Sequence, residues 1–149
     1  MSQRKVILLL GSNIKNPKKN IEEAILLIDK RLGRIVKKSE MLETEPVEFA
    51  SSNNFCNIAL SLETDFSPIQ ILKKLKEIER CMGRILDSKD LGGYEDRVID
   101  VDIVAIGDLS YQSKMLNVPH HRHLFVRDFS REILEDLGVD IEKYKNIQI

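Results

Sequence analysis

Two aspartates stand one residue apart in Arg97-Val98-Ile99-Asp100-Val101-Asp102-Ile103, and their spacing is the sharpest chemical signal in the chain. In a strand, residues two apart point to the same face. Asp100 and Asp102 therefore stand side by side, roughly 6–7 Å apart at Cα, while Ile99, Val101 and Ile103 turn toward the core. Two carboxylates this close repel, and one holds a proton unless a cation neutralises both. Oxygen ligands of this kind suit Mg²⁺, which takes one or two protein carboxylates together with substrate phosphates. Alone, the pair reads equally well as the acidic side of a solvent-facing strand. Arg97 and Arg84 shift the balance, because the planar guanidinium fork matches phosphate. Acids for magnesium beside arginines for phosphate are the equipment of phosphoryl transfer. Each arginine taken singly is more simply a surface ion pair.

Other residues offer weaker signals. Gly11-Ser12-Asn13 could turn backbone N–H groups toward a ligand, although an ordinary turn explains it as well. No G-x-x-x-x-G-K-[ST] loop is present, which disfavours a P-loop kinase. The glycine loop and partner motifs of protein kinases are also missing. His120, His121 and His123 follow Pro119 with no Cys, Asp or Glu at zinc-ligand spacing. They read as phosphate or nucleotide contacts, or as surface positions. Phe55 and Asn57 share a strand face, where an aromatic beside an amide can stack on and hydrogen-bond a flat heterocycle. Phe55 as a plain core residue is the simpler account.

The elements that must position these residues follow from hydrophobic period and punctuation. Val6 to Leu10 is a continuous apolar run, read as a buried strand ending at Gly11. Asn16-Pro17 opens a helix with Ile21, Ala24, Ile25, Ile28 and Leu32 on one stripe, and Gly33 stops it. Ile35 to Glu43 reads as one strand, broken by Thr44-Glu45-Pro46, and a polar loop follows to Asn54. Phe55 to Glu63 is the next strand. Ser67-Pro68 starts a second helix with Ile71, Leu72, Leu75, Ile78 and Met82, ending at Gly83. After a polar loop with Gly92-Gly93, Val98 to Ile106 is a β-branched strand, and a short helix lies near Arg131 to Leu137. The order strand, helix, strand, strand, helix, strand is the split βαβ pattern of a ferredoxin-like α+β sandwich. It predicts an antiparallel βαββαβ sheet with helices packed on one face.

Size and composition set the outer bounds. At 149 residues the chain suits one domain, here residues 1–149, with a core that needs no staples. A formal net charge of −1 gives no reason to expect nucleic acid or an anionic membrane as partner. It also disfavours an RNA-binding version of the fold, whose aromatic pattern is absent. Cys56 and Cys81 are too few for a disulfide framework and read as free thiols of a reducing cytoplasm. No signal segment is visible, and Val6 to Leu10 is too short to cross a bilayer.

Taken in order, these residues resemble the family of 6-hydroxymethyl-7,8-dihydropterin pyrophosphokinases from about Val6 to Ile133. The carriers are Gly11-Ser12-Asn13 with Asn20, Thr44-Glu45-Pro46, Phe55-Cys56-Asn57, Ile78-Glu79, Gly83-Arg84, Arg97-x-x-Asp100-x-Asp102-Ile103, Val118-Pro119-His120 and Phe125-Val126. The resemblance implies transfer of pyrophosphate from ATP to 6-hydroxymethyl-7,8-dihydropterin in folate biosynthesis, by a cytoplasmic monomer. It implies two Mg²⁺ ions on Asp100 and Asp102, and a pterin between Phe55 and Phe125, read by Asn57 in a pocket lined by Thr44, Pro46 and Val47. Glu79, Arg84, Arg97, Ile103, His120, His121 and Arg122 match positions around ATP, with Arg84 and Arg97 as catalytic arginines. Loops 47–54 and 85–95 would close over ATP. The sequence departs from the pattern at Leu86, where a second basic residue is usual, at Tyr94, at Met115, and in a shortened segment between His121 and Phe125. A non-catalytic pterin- or nucleotide-binding module on the same fold is the competing reading.

Overall fold

The computed structural model describes residues 3–44, 55–83 and 98–146. The main sheet contains β1 (Arg4–Ser12), β2 (Arg34–Lys38), β3 (Leu42–Thr44), β4 (Phe55–Thr64) and β5 (Asp100–Ile106). Its order is β2-β4-β1-β5, with β3 continuing the β2 edge of β4, and every pairing is antiparallel. Helices α1 (Pro17–Arg31) and α2 (Pro68–Gly83) supply the two crossovers, giving the expected ferredoxin-like βαββαβ arrangement. A small hairpin of β6 (Tyr111–Gln112) and β7 (Asn117–Val118) follows β5. A π-helical turn (Arg122–Val126) and α3 (Asp128–Leu137) come next.

Local chemistry places the helix starts. The Asn16 side chain accepts from the Lys19 N–H at 3.2 Å, with Pro17 in the first turn of α1. At α2, Ser67 Oγ accepts from the Gln70 N–H and Gln70 Oε1 accepts from the Ser67 N–H, a reciprocal capping box. Gly33 follows α1 for a different reason from the expected stop. A Cβ there would collide with the Glu63 carbonyl oxygen and lie 2.9 Å from Thr64 Cβ, so glycine lets the chain pass against β4. Gly138 closes α3 in the left-handed region, at φ 97°.

Helices cover both faces of the sheet, not one. Val6, Leu8, Leu10, Ile58, Leu60, Leu62, Val101 and Ile103 pack with Ile21, Ala24 and Ile28 of α1 and Ile71, Leu75 and Ile78 of α2. On the other face, Ile7, Leu9, Ala59, Val104 and Ala105 pack with Leu124 and with Ile133, Leu134 and Leu137 of α3. This is why β1 is apolar at every position from Val6 to Leu10 and not at alternate ones. Each fully buried leucine contributes about 1.5–3 kcal/mol.

The expected single strand from Ile35 to Glu43 is two strands. Between them, Ser39 N–H donates to the Ala59 carbonyl at 3.0 Å, and Ser39 Oγ accepts from the Ala59 N–H at 2.9 Å. One side chain thus replaces a rung of the ladder and lets the edge bend. The Glu40 N–H is also drawn away to Asp136 Oδ2 of α3.

Candidate active site

Register brings the candidate residues onto one face of the sheet. Asp100 lies opposite Gly11 and Asp102 opposite Leu9. Gly11 is opposite Asn57 and Leu9 opposite Ala59. Leu42 is opposite Asn57 and Thr44 opposite Phe55. Directly opposed residues share a face, so one row across the sheet reads Leu42, Asn57, Gly11, Asp100. Thr44 and Phe55 flank it on one side, and Asp102 stands beside Asp100 on the other. Gly11 has no side chain in the middle of this row, and Asn57 uses the space. A Cβ on Gly11 would lie 2.8 Å from Asn57 Oδ1.

The turn after β1 fixes the start of β5. Ser12 Oγ donates to the Val98 carbonyl at 2.6 Å and accepts from Asn20 Nδ2 at 3.1 Å. Asn20 also donates to the Ile14 carbonyl at 2.8 Å. Ser12 and Asn13 are buried. The Gly11-Ser12-Asn13 signal is therefore a clamp that ties β1, α1 and the residues leading into Asp100.

Asp102 is held by a histidine. Its Oδ2 lies 2.7 Å from His123 Nε2, and His123 Nδ1 lies 2.7 Å from Ser130 Oγ on α3. His123 is 1% exposed and Ser130 0%, so His123 is no surface histidine. No acid lies near these histidines along the chain because the acid arrives from β5, 21 residues earlier. Burial alone would raise the Asp102 carboxyl. The His123 hydrogen bond, with the charges of His123, His120 and Arg127, outweighs it and holds the group below its ordinary range.

Serine, histidine and aspartate in a chain share the composition of a hydrolase triad. A fully buried Ser130 cannot reach a substrate, so it is no nucleophile.

The His120 N–H donates to the Val104 carbonyl at 2.8 Å, and its ring lies 4.1 Å from that of His123, tilted by 32°. Burial first, then the neighbouring His123, brings the His120 imidazole down to about 4. His121 and Arg122 are exposed. The His121 ring lies 5.3 Å from that of Phe125, which itself packs at the edge of the α3 core. Phe55 is half-buried and belongs to neither hydrophobic core. Ile103 is buried on the opposite face from the acids, among the α1 and α2 residues.

Glu79 reaches the acid strand from α2. Its Oε2 accepts from the Val101 N–H at 2.8 Å and its Oε1 pairs with Lys76 at 3.3 Å. Burial pushes the Glu79 carboxyl up and nearby Asp100 adds to this, against the Val101 and Lys76 contacts. Glu79 also lines an open groove along α2, with Leu72, Lys73, Lys76, Arg80 and Met115. Pro46, Val47, Arg84, Arg97, Leu86, Tyr94 and the loops 47–54 and 85–95 lie outside the described residues.

Two donor sets could take a metal. Asp102, His120 and His123 offer atoms within 4.8 Å of one another. Two ligands on one zinc ion sit about 3.3 Å apart, given bonds near 2.0–2.1 Å. At 2.7 Å, His123 and Asp102 are instead a hydrogen-bonded pair. The other set is oxygen-only: Asp100 with the remaining oxygen of Asp102. Such hard donors fit Mg²⁺.

Fold and site together define a ferredoxin-like α+β protein carrying a paired-acid centre beside a groove. The model of the family described as 7,8-dihydro-6-hydroxymethylpterin-pyrophosphokinase matches residues 7–138, and the chain belongs to that family. A 2-amino-4-hydroxy-6-hydroxymethyldihydropteridine pyrophosphokinase of Porphyromonas gingivalis is 36% identical over 134 residues, covering 89% of this chain and 90% of the relative. One from Pseudomonas aeruginosa is 30% identical, covering 93% and 83%. A mitochondrial folate synthesis bifunctional protein of Arabidopsis thaliana is 36% identical over 91% of this chain, which spans 24% of that longer protein. Among solved structures, Plasmodium falciparum HPPK-DHPS superposes with a TM-score of 0.67 at 18% identity, covering 99% of this chain and 41% of that one, a likeness of fold. No helix among the described residues is long and apolar enough to cross a membrane.

Proposed function

We propose that this chain transfers a pyrophosphoryl group from ATP to 6-hydroxymethyl-7,8-dihydropterin and releases AMP, within folate biosynthesis. The observation that carries the reading is the row Asn57, Gly11, Asp100 on one sheet face, in a chain of this family. An amide suited to a heterocycle edge and the acid pair are separated only by a residue without a side chain. Residues 1–149 act as one domain, a monomer of the cytoplasm.

Asp100 and Asp102 hold two Mg²⁺ ions. When bound, magnesium neutralises phosphate charge and stabilises what develops in the transition state. The pterin lies between Phe55 and Phe125. Asn57 hydrogen-bonds its edge, and Thr44, Pro46 and Val47 line the pocket. Glu79, His120, His121 and Arg122 surround ATP, and Arg84 and Arg97 clamp its phosphates; Ile103, expected there from the resemblance, is buried in the α1–α2 core on the opposite face and its side chain takes no part. The pterin hydroxymethyl oxygen forms a bond to the β-phosphorus as the bond from that phosphorus to the α-phosphate oxygen breaks; AMP leaves with that oxygen, and the hydroxyl proton is released to water. No general base is assigned, because positioning and charge supply most of the acceleration in such transfers.

The test is to incubate the protein with ATP, Mg²⁺ and the pterin and to follow nucleotides by chromatography. AMP formed only with pterin and metal is expected, and Asp102→Ala abolishes it. ADP in place of AMP overturns the transfer. No turnover with pterin still bound by calorimetry identifies a binding module.

A further inference from the structure

We propose that His123, braced by Ser130, is a positioning residue for Asp102, fixing the orientation in which its carboxylate meets the divalent cations. This deepens the reading above and rests on Asp102 being a cation ligand.

The geometry is a relay from helix to site. Ser130, Ile133, Leu134 and Leu137 are the buried stripe of α3, so Ser130 sits where an apolar residue is expected. Its hydroxyl lies 2.7 Å from His123 Nδ1. A carboxylate only accepts hydrogen bonds, so the 2.7 Å contact with Asp102 requires the proton on His123 Nε2. The acceptor-only carboxylate thus selects the tautomer, and in the neutral ring Nδ1 then accepts from the Ser130 O–H, which can adapt to it. The His120 ring, 4.1 Å away, closes over the imidazole.

Two polar side chains buried this completely are costly unless their partners are fixed, and both partners are supplied here. The outcome falls on Asp102: the hydrogen bond at Oδ2 fixes the plane of its carboxylate, so that its remaining lone pairs stay aimed at the cation site beside Asp100. The π-helical turn Arg122–Val126, closed by the Arg127 N–H on the Arg122 carbonyl at 2.8 Å, turns His123 inward. Turns of this kind gather at functional sites.

The test reads metal binding without turnover. Mn²⁺ affinity is measured by electron paramagnetic resonance on the full chain with α,β-methylene-ATP, beside thermal melting in EDTA. His123→Leu is expected to weaken Mn²⁺ binding about 10-fold or more, the usual cost of losing an outer hydrogen-bond partner. Ser130→Ala, which deletes only a hydroxyl remote from any ligand, weakens it in the same direction by less. His123→Gln, which restores an N–H donor, regains most of the affinity. If His123→Leu fails to fold, Ser130→Ala and His123→Gln decide. Variants that melt earlier yet bind Mn²⁺ like the parent overturn the proposal, as does a parent protein that binds no Mn²⁺ with the nucleotide. A parent that binds Mn²⁺ but makes no AMP defeats the pyrophosphokinase reading and leaves this one standing, provided the variants weaken binding.

Discussion

The Val101 backbone N–H donates to Glu79 Oε2 at 2.8 Å, fastening α2 to the strand that carries both acids. That hydrogen bond needs an acceptor but not a charge, whereas burial raises the Glu79 carboxyl. The folded chain therefore holds its Glu79 proton to higher pH than the unfolded chain does. Stability falls as pH rises through the window between the ordinary glutamate value, about 4.3, and the raised one, and the cost is fully present above it. Glu79→Gln keeps an acceptor and removes that cost. Urea denaturation in EDTA is expected to show the variant gaining stability relative to the parent at pH 7.5, with the gain vanishing near pH 4. A gain equal at both values rules out the carboxylate as its source. AMP formation falls in the same variant if Glu79 serves ATP.

Gly11→Ala tests the middle of the site row. Its methyl group would lie 2.8 Å from Asn57 Oδ1, so the buried amide must swing or β1 and β4 must part. Overpacking of this kind costs about 1–3 kcal/mol. The specific expectation is that pterin affinity drops by more than nucleotide affinity, because Asn57 is re-aimed while α2 and its groove are untouched. Calorimetry with each ligand separately checks this. Equal losses would place Asn57 outside the pterin site.

How much of this was legible follows from the range of each interaction. Asn16-Pro17 and Ser67-Pro68 announce helix starts because a cap is made within three residues. The acid pair was legible because strand period alone puts Asp100 and Asp102 together. The unbroken apolar run Val6 to Leu10 already required cover on both faces, which the one-sided reading overlooked; α3 supplies the second layer. The split between β2 and β3 was hidden, since a serine in an edge strand looks like any polar residue until its hydroxyl meets Ala59. His123 was misread because its partners come from β5 and α3. The one available signal was Ser130, a polar residue at an apolar position of the α3 stripe, Ser130-Ile133-Leu134-Leu137.

Phe55→Ala separates a ligand platform from a packing residue. Phe55 is half-buried and stands in neither core, so truncation leaves no closed cavity. It is expected to cost less than the 3–5 kcal/mol typical of a core phenylalanine, about 1 kcal/mol or below. Pterin affinity falls at least 10-fold while affinity for the ATP analogue holds. Thermal melting and fluorescence titration with the pterin distinguish the cases. A large loss of melting temperature with normal pterin binding assigns Phe55 to packing.

His120 supplies the last pH signature. Burial, and then His123, keep its imidazole neutral in the folded chain down to about pH 4, whereas in the unfolded chain it takes a proton near 6.5. Between those values the unfolded state binds more protons. Stability is therefore lost as pH falls through the window, and no such loss operates above it. His120→Gln cannot titrate. It forfeits the ring contact with His123 at 4.1 Å and is less stable at pH 7.5, but its further drop on going to pH 5 is smaller than the parent's. The informative quantity is that difference of differences, measured by denaturant unfolding in EDTA at both pH values. Parallel drops in parent and variant would mean that His120 charges as readily in the folded chain as in the unfolded one. The reading of a neutral imidazole packed against His123 would then be lost.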